Sequence, residues 1–249
     1  MKLVLLLLIS SISFAADFEA VEEKLKTAMQ SEVRTDDEKE RDRNRDPINT
    51  LKFMGLRDDM KVAELLPGGG WYTKLLAPVL KDNGELYLAY GAGRVEDGLL
   101  KDNKDFSQVK VVAKDAKVYR KEDARFYSLE NAELGVKDLD MVLTFRNYHN
   151  FADDGRKAMN DEAYKALKMG GIYGVVDHTR RHMQGEDGEN RRRFDPVKAI
   201  KEIQDAGFIL IDYSDLHYRP DDELRYEVGR KSVTGNTDRF TLKFMKVKK

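Results

Sequence analysis

Residues Val62–Leu80, "VAELLPGGGWYTKLLAPVL", decide how this chain is read. A short apolar run carries one acid, Glu64, and ends at Pro67. Three consecutive glycines follow, Gly68, Gly69 and Gly70, and apolar residues then recur at helical spacing from Trp71 to Leu80. Strand, turn and helix in direct succession open a βα unit. Glycine tolerates positive φ and lets backbone N–H groups approach a ligand. The turn is therefore either a cofactor-facing shelf or a tight connection that only packs helix on strand. Its place after the first strand of a βα series favours the shelf.

The series extends in both directions. Strands are expected over residues 61–66, 85–90, 109–112, 140–145, 172–177, 208–213 and 240–247, and helices over 71–80, 95–101, 154–167 and 196–206. Gly84, Gly171 and Gly207 stand where helix C-caps would. Strand and helix alternate up to the last two strands, which have no helix between them. The fold expected is α/β: a Rossmann-like doubly wound sheet, mostly parallel, with an antiparallel C-terminal strand. Upstream, Val21, Leu25, Ala28 and Met29 mark an amphipathic helix. The stretch "DDEKERDRNRDP" after it holds nothing apolar and reads as solvated helix or linker ending before Pro47.

Elimination narrows the cofactor. A dinucleotide fingerprint needs a third glycine where Thr73 stands, and an acid after the second strand, where none is found. A phosphate-binding G-x-x-x-x-G-K-[ST] loop is absent. A nucleoside without a pyrophosphate remains.

At Val62–Leu80 the chain resembles the first motif of class I S-adenosylmethionine-dependent methyltransferases. "RDRNRDPINTLKFMGLRDDMKVAELLPGGGWYT", "DLDMVLTFRNYHNF", "LKMGGIYGVVDHT" and "AGFILIDYSDLHY" with "GNTDRFTLKF" are similar, in order, to a branch of exported predicted methyltransferases. The resemblance runs from about Arg41 to the end and implies a class I methyltransferase-type fold with S-adenosylmethionine as cofactor. It implies that Glu64 orders the methionine ammonium. Pro67, Gly68, Gly69 and Gly70 would face the methionine and ribose, and Tyr72 and Asn147 would border the same crevice. The family usually carries an acid for the ribose hydroxyls at the tip of strand two. Here Tyr90 stands there, and a phenol lacks a carboxylate's two strong acceptors.

Methyl transfer needs an aligned nucleophile and, for some acceptors, a base. "RNYHN" after strand four supplies His149, either a general base or a structural histidine. "VVDHTRRH" after strand five supplies Asp177 and His178. Ordinary hydrogen-bonding roles are favoured over a metal, since no ligand pair has i, i+4 spacing. The charged segment "RRHMQGEDGENRRRFDP" reads as a surface loop or lid, and the resemblance implies that Arg193 and Asp195 face the site.

Of the 249 residues 36% are charged, yet the formal net charge is −1, which gives a nucleic-acid partner no global support. "MKLVLLLLISSISFAADFEA" reads as a signal peptide cleaved after Ala15, too short in its apolar run to span a bilayer. The absence of cysteine excludes disulfides and thiolate metal sites. The organisation expected is signal peptide over 1–15, helical extension over 16–50 and methyltransferase-like domain over 51–249. The expected protein is periplasmic or secreted, acts on a small molecule and keeps no membrane anchor after cleavage. A non-catalytic binding protein on the same scaffold is the alternative.

Overall fold

The computed structural model describes residues 18–101 and 103–248. The expected signal peptide lies outside the described residues. Among them no helix is long and apolar enough to cross a membrane.

Helix α1 (18–30) buries Phe18, Val21, Leu25 and Ala28 on one face. Two short helices follow, α2 (Asp36–Glu40) and α3 (Asp42–Arg45), and then α4 (Pro47–Met54). Thr35 and Glu38 close a reciprocal capping box on α2, which explains why so polar a stretch is helical. Asp46, in the left-handed conformation, separates α3 from α4, and Pro47 takes the first turn of α4, where its missing N–H costs nothing.

The βα series begins with β1 (Lys61–Leu65), α5 (Thr73–Leu80) and β2 (Glu85–Ala89). Next come α6 (Gly93–Val95), a wide π-helical turn over Glu96–Leu100, and β3 (Lys110–Val112). An antiparallel pair, β4 (Lys117–Tyr119) and β5 (Ser128–Glu130), stands apart from the main sheet. Then come β6 (Leu139–Phe145), α7 (Asp153–Ala166), β7 (Leu167–His178), α8 (Pro196–Asp205), β8 (Phe208–Ser214) and β9 (Arg239–Lys246).

Seven strands form one sheet in the order β3-β2-β1-β6-β7-β9-β8. The first five are parallel, and β9 inserts antiparallel between β7 and β8. This is the doubly wound sheet with an antiparallel C-terminal strand that the pattern predicts. Val62, Leu88, Met141 and Leu143 pack on one face with α1, α4 and α5. Ala63, Leu65, Val142 and Val175 pack on the other with α7 and α8. Burial of β1 and β6 on both faces is why each reads as a continuous apolar run.

Local expectations differ in several places: β7 starts at Leu167 and not near residue 172, and Gly84 lies three residues beyond Lys81, the actual C-cap of α5. The helix expected over 95–101 is mostly the wide turn. Gly171 is not a helix cap: α7 ends at Ala166 and Gly171 lies inside β7, where a Cβ would meet the Lys168 carbonyl at 2.9 Å and that of Leu139 at 3.1 Å.

Candidate functional site

Strand order reverses between β1 and β6, which are direct neighbours, and an open α/β sheet places its crevice beyond the strand ends at such a point. The turn Leu66–Gly70 stands there. Leu66, Gly68 and Gly70 all have positive φ. The turn closes on itself, Gly70 donating to the Pro67 carbonyl at 2.9 Å. The N–H groups of Gly68 and Gly69 make no hydrogen bond among the described residues. A Cβ built on either glycine meets nothing within 4 Å, so a bare strip of backbone faces open space. At Gly70 a Cβ would press on Val95 Cγ2 at 3.2 Å, so this glycine also serves close packing.

Glu64 lies behind the turn at 3% exposure. The Thr73 hydroxyl donates to its Oε2 at 2.7 Å, and its Oε1 has no partner among the described residues. Burial pushes the carboxyl up to about 7, against the opposing pull of Thr73 and the Arg45 charge. A buried carboxylate with one oxygen free, next to unpaired N–H groups, is suited to an ammonium group carried by a polar ligand.

The other expected cofactor residues divide. The Asn147 amide donates to the carbonyls of Leu66 and Phe145, both at 3.0 Å, and so ties the ends of β1 and β6 together. Tyr72 is buried and stacks on Phe145 with ring centres 3.6 Å apart. Tyr90 is a correction. Its φ of 62° turns the side chain into the core below the sheet, where the phenol donates to the Ala132 carbonyl. The tip of β2 therefore presents the backbone of Gly91–Gly93 instead of a side chain. Trp71 is covered by the N-terminal helices. Its indole donates to the Glu38 carbonyl at 3.0 Å, and the guanidiniums of Arg34 and Arg45 lie 4.9 and 4.2 Å from its ring centre.

The three expected catalytic residues come together. Asp177, fully buried, accepts from the His149 backbone N–H at 2.9 Å, the His149 Nδ1 at 2.6 Å and the His178 backbone N–H at 2.6 Å. The carboxylate fixes the His149 ring with Nδ1–H toward it, so in the neutral ring Nε2 is the acceptor. That nitrogen makes no hydrogen bond among the described residues, and His149 lines a cavity of about 660 Å³. His178 lines the same cavity, with Nδ1 2.9 Å from the Thr237 hydroxyl. Burial, and then the nearby guanidiniums of Arg239, Arg146 and Arg193, hold it well below the usual histidine range, which favours the neutral ring.

Arg45, Arg146 and Arg239 form the floor of this cavity, which sequence reading did not assemble. Arg193 and Asp195, by contrast, do not face the site. Arg193 is buried in a two-pronged ion pair with Asp222 at 2.8 and 2.9 Å, and Asp195 caps α8 through the N–H groups of Val197 and Lys198. His217 is held by the Thr241 hydroxyl and the Arg45 carbonyl. Among the described residues no group of three His, Cys, Asp or Glu is arranged to hold a metal ion.

No protein-family model matches the sequence, and no curated protein matches it. Solved structures do resemble the fold. A SAM-dependent methyltransferase from Aquifex aeolicus aligns over 91% of this chain and 98% of its own, at 17% identity and a TM-score of 0.53. The [4+2]-cyclase SpnF aligns over 82% and 80% at 14% identity and a TM-score of 0.56. The glycopeptide N-methyltransferase MtfA complexed with sinefungin aligns over 82% and 86% at 13% identity and a TM-score of 0.51. With its mostly parallel seven-stranded sheet and antiparallel C-terminal strand, this chain has the Rossmann-like fold of class I methyltransferases.

Proposed function

We propose that the chain is an S-adenosylmethionine-dependent methyltransferase acting on a small molecule. One observation carries the reading: a bare glycine turn at the sheet's reversal point, backed by a buried Glu64 with one oxygen free, lies on the same sheet edge as a histidine oriented by a buried aspartate. The binding of sinefungin, an analogue of the cofactor, by a structural neighbour supports it.

The residues present fit the cofactor at one end. Glu64 would accept from the methionine ammonium, and the Gly68 and Gly69 N–H groups would approach the polar groups of the methionine and ribose. At the ribose the fit rests on backbone, because Tyr90 is turned away. When bound, the cofactor supplies an activated methyl group for in-line displacement. The protein's share is to align the acceptor, exclude water and hold its proton. His149 Nε2 would accept that proton from the acceptor, and Asp177 would stabilise the resulting imidazolium. His178, neutral and bonded to Thr237, shapes the wall beside it.

The N-terminal signal-like sequence supports action in the periplasm or outside the cell. A second reading, a protein that binds a ligand on this scaffold without transferring methyl groups, draws on the missing ribose carboxylate and on the cyclase among the neighbours. Titration calorimetry with S-adenosylmethionine and S-adenosylhomocysteine, with ATP as control, tests the first reading. Saturable binding of both in the micromolar range supports it, and no binding below about 1 mM, a free energy weaker than about 4 kcal/mol, refutes it.

A further inference from the structure

The described residues include six buried arginines. Four are paired with acids: Arg34 with Asp42, Arg156 with Glu202, Arg180 with Glu186 and Arg193 with Asp222. The other two, Arg45 at 5% exposure and Arg239 at 6%, have no acid partner among the described residues, and both line the cavity of about 660 Å³ beside His149. Half-buried Arg146 joins them, likewise without an acid. The Nε atoms of Arg146 and Arg239 are buried with no hydrogen-bond partner. Arg45 lies over Trp71, and Arg239 donates to the Asn44 carbonyl.

Charges packed this way oppose one another. Burial, then the neighbouring guanidinium of Arg146, lowers Arg45 to about 9 and Arg239 to about 10. The acids at the cavity, Asp37 and Glu40, are exposed, and Glu40 is paired with Arg43. A chain that neutralises its other buried arginines leaves these unneutralised only around an open space. Buried cations without partners are costly, and an incoming anion relieves that cost. Planar guanidiniums present paired donors suited to phosphate, sulfate or carboxylate.

We propose that this cavity takes the anionic group, a phosphate, sulfate or carboxylate, of the methyl acceptor, and so holds the acceptor against His149. The proposal rests on the methyltransferase reading for the word acceptor, and on the arginine cluster alone for the anion. The same cations are also suited to the carboxylate of the cofactor's methionine, so the experiment has to separate the two sources.

The test is calorimetric titration of inorganic phosphate and pyrophosphate into the full chain in chloride buffer of matched ionic strength, with and without saturating S-adenosylhomocysteine. Arg239→Gln and Arg146→Gln are titrated alongside. The expected result is saturable binding of pyrophosphate to the S-adenosylhomocysteine-loaded protein, weakened at least about tenfold in each variant, as loss of one charge-assisted contact implies. The affinity of each variant for S-adenosylhomocysteine stays within about threefold of the parent's, because that ligand sits at the glycine turn. Thermal melts in anion-free buffer keep a folding failure apart, since loss of an unpaired buried cation should leave the melting temperature equal or higher. Competition between pyrophosphate and S-adenosylhomocysteine, with both variants losing the latter, would assign the arginines to the cofactor and overturn the proposal. Absence of saturable anion binding in every state would overturn it too. Pyrophosphate binding without any S-adenosylhomocysteine binding would uphold the anion site and refute the methyltransferase reading.

Discussion

Glu64→Gln separates the cost of burying a carboxyl from everything else in the crevice. In the folded chain Glu64 is buried at 3% exposure, and burial raises its ionisation from the usual 4.5 to about 7. Between those values the native state holds a proton that the unfolded chain has lost. Stability therefore falls as pH rises through this window and levels off above it. At about 1.4 kcal/mol per decade of proton concentration, the native state is about 3 kcal/mol less stable at neutral pH than a carboxyl ionising alike in both states would make it. Glutamine keeps an oxygen for the Thr73 hydroxyl and cannot ionise. Urea denaturation of parent and variant, each from about pH 4 to about pH 8, should show the variant gaining about 3 kcal/mol on the parent across the series. A constant difference, or one that shrinks with pH, would refute the reasoning. The ligand side has the same origin. Binding of an ammonium requires the ionised form, so the parent should bind S-adenosylhomocysteine about eightfold more weakly at pH ~6 than at pH ~7.5, and the variant should lose most of that dependence.

Other positions give sharper yes-or-no outcomes. His149→Gln should slow methyl transfer to a proton-bearing acceptor by about 10²–10⁴-fold with cofactor affinity held within about twofold, as read by single-turnover kinetics and calorimetry. Arg193→Met strands Asp222 in the interior and should cost about 3–5 kcal/mol in urea denaturation, with much of it regained in Arg193→Met/Asp222→Leu. Tyr90→Phe removes the bond to the Ala132 carbonyl and should cost about 1–3 kcal/mol of stability without moving cofactor affinity. A tenfold loss of affinity there would put the phenol back in the crevice.

The elements legible in the sequence are those whose burial is symmetric. β1 and β6 lie in the sheet interior, so their apolar runs survive any local context, and both start and stop close to the expected residues; β7 stops where expected but starts at Leu167, five residues early, because its first half is polar and glycine-rich. The antiparallel pair of β4 and β5 went unread because three-residue strands of mixed polarity carry no period. The helical character of Asp36–Glu40 was present in the sequence as Thr35 and Glu38, a capping pair concealed by the surrounding charge. His149, Asp177 and His178 were legible because each stands at the end of an interior parallel strand. Tyr90 misled because the resemblance sets it at the position of the family's ribose acid, and a left-handed backbone there turns its side chain into the core instead. The arginine floor is tertiary: Arg45 comes from α3, Arg146 from the end of β6 and Arg239 from the start of β9, and only the closed sheet brings them together.

The central claim is that the Gly68–Gly70 backbone and Glu64 hold the methionine end of S-adenosylmethionine. A diffraction structure of the chain with S-adenosylhomocysteine tests it most directly. The account predicts the ligand across that turn, with its amino nitrogen within hydrogen-bonding distance of the free Glu64 oxygen. Ligand density elsewhere on the molecule, or an empty crevice at saturating concentration, would contradict it.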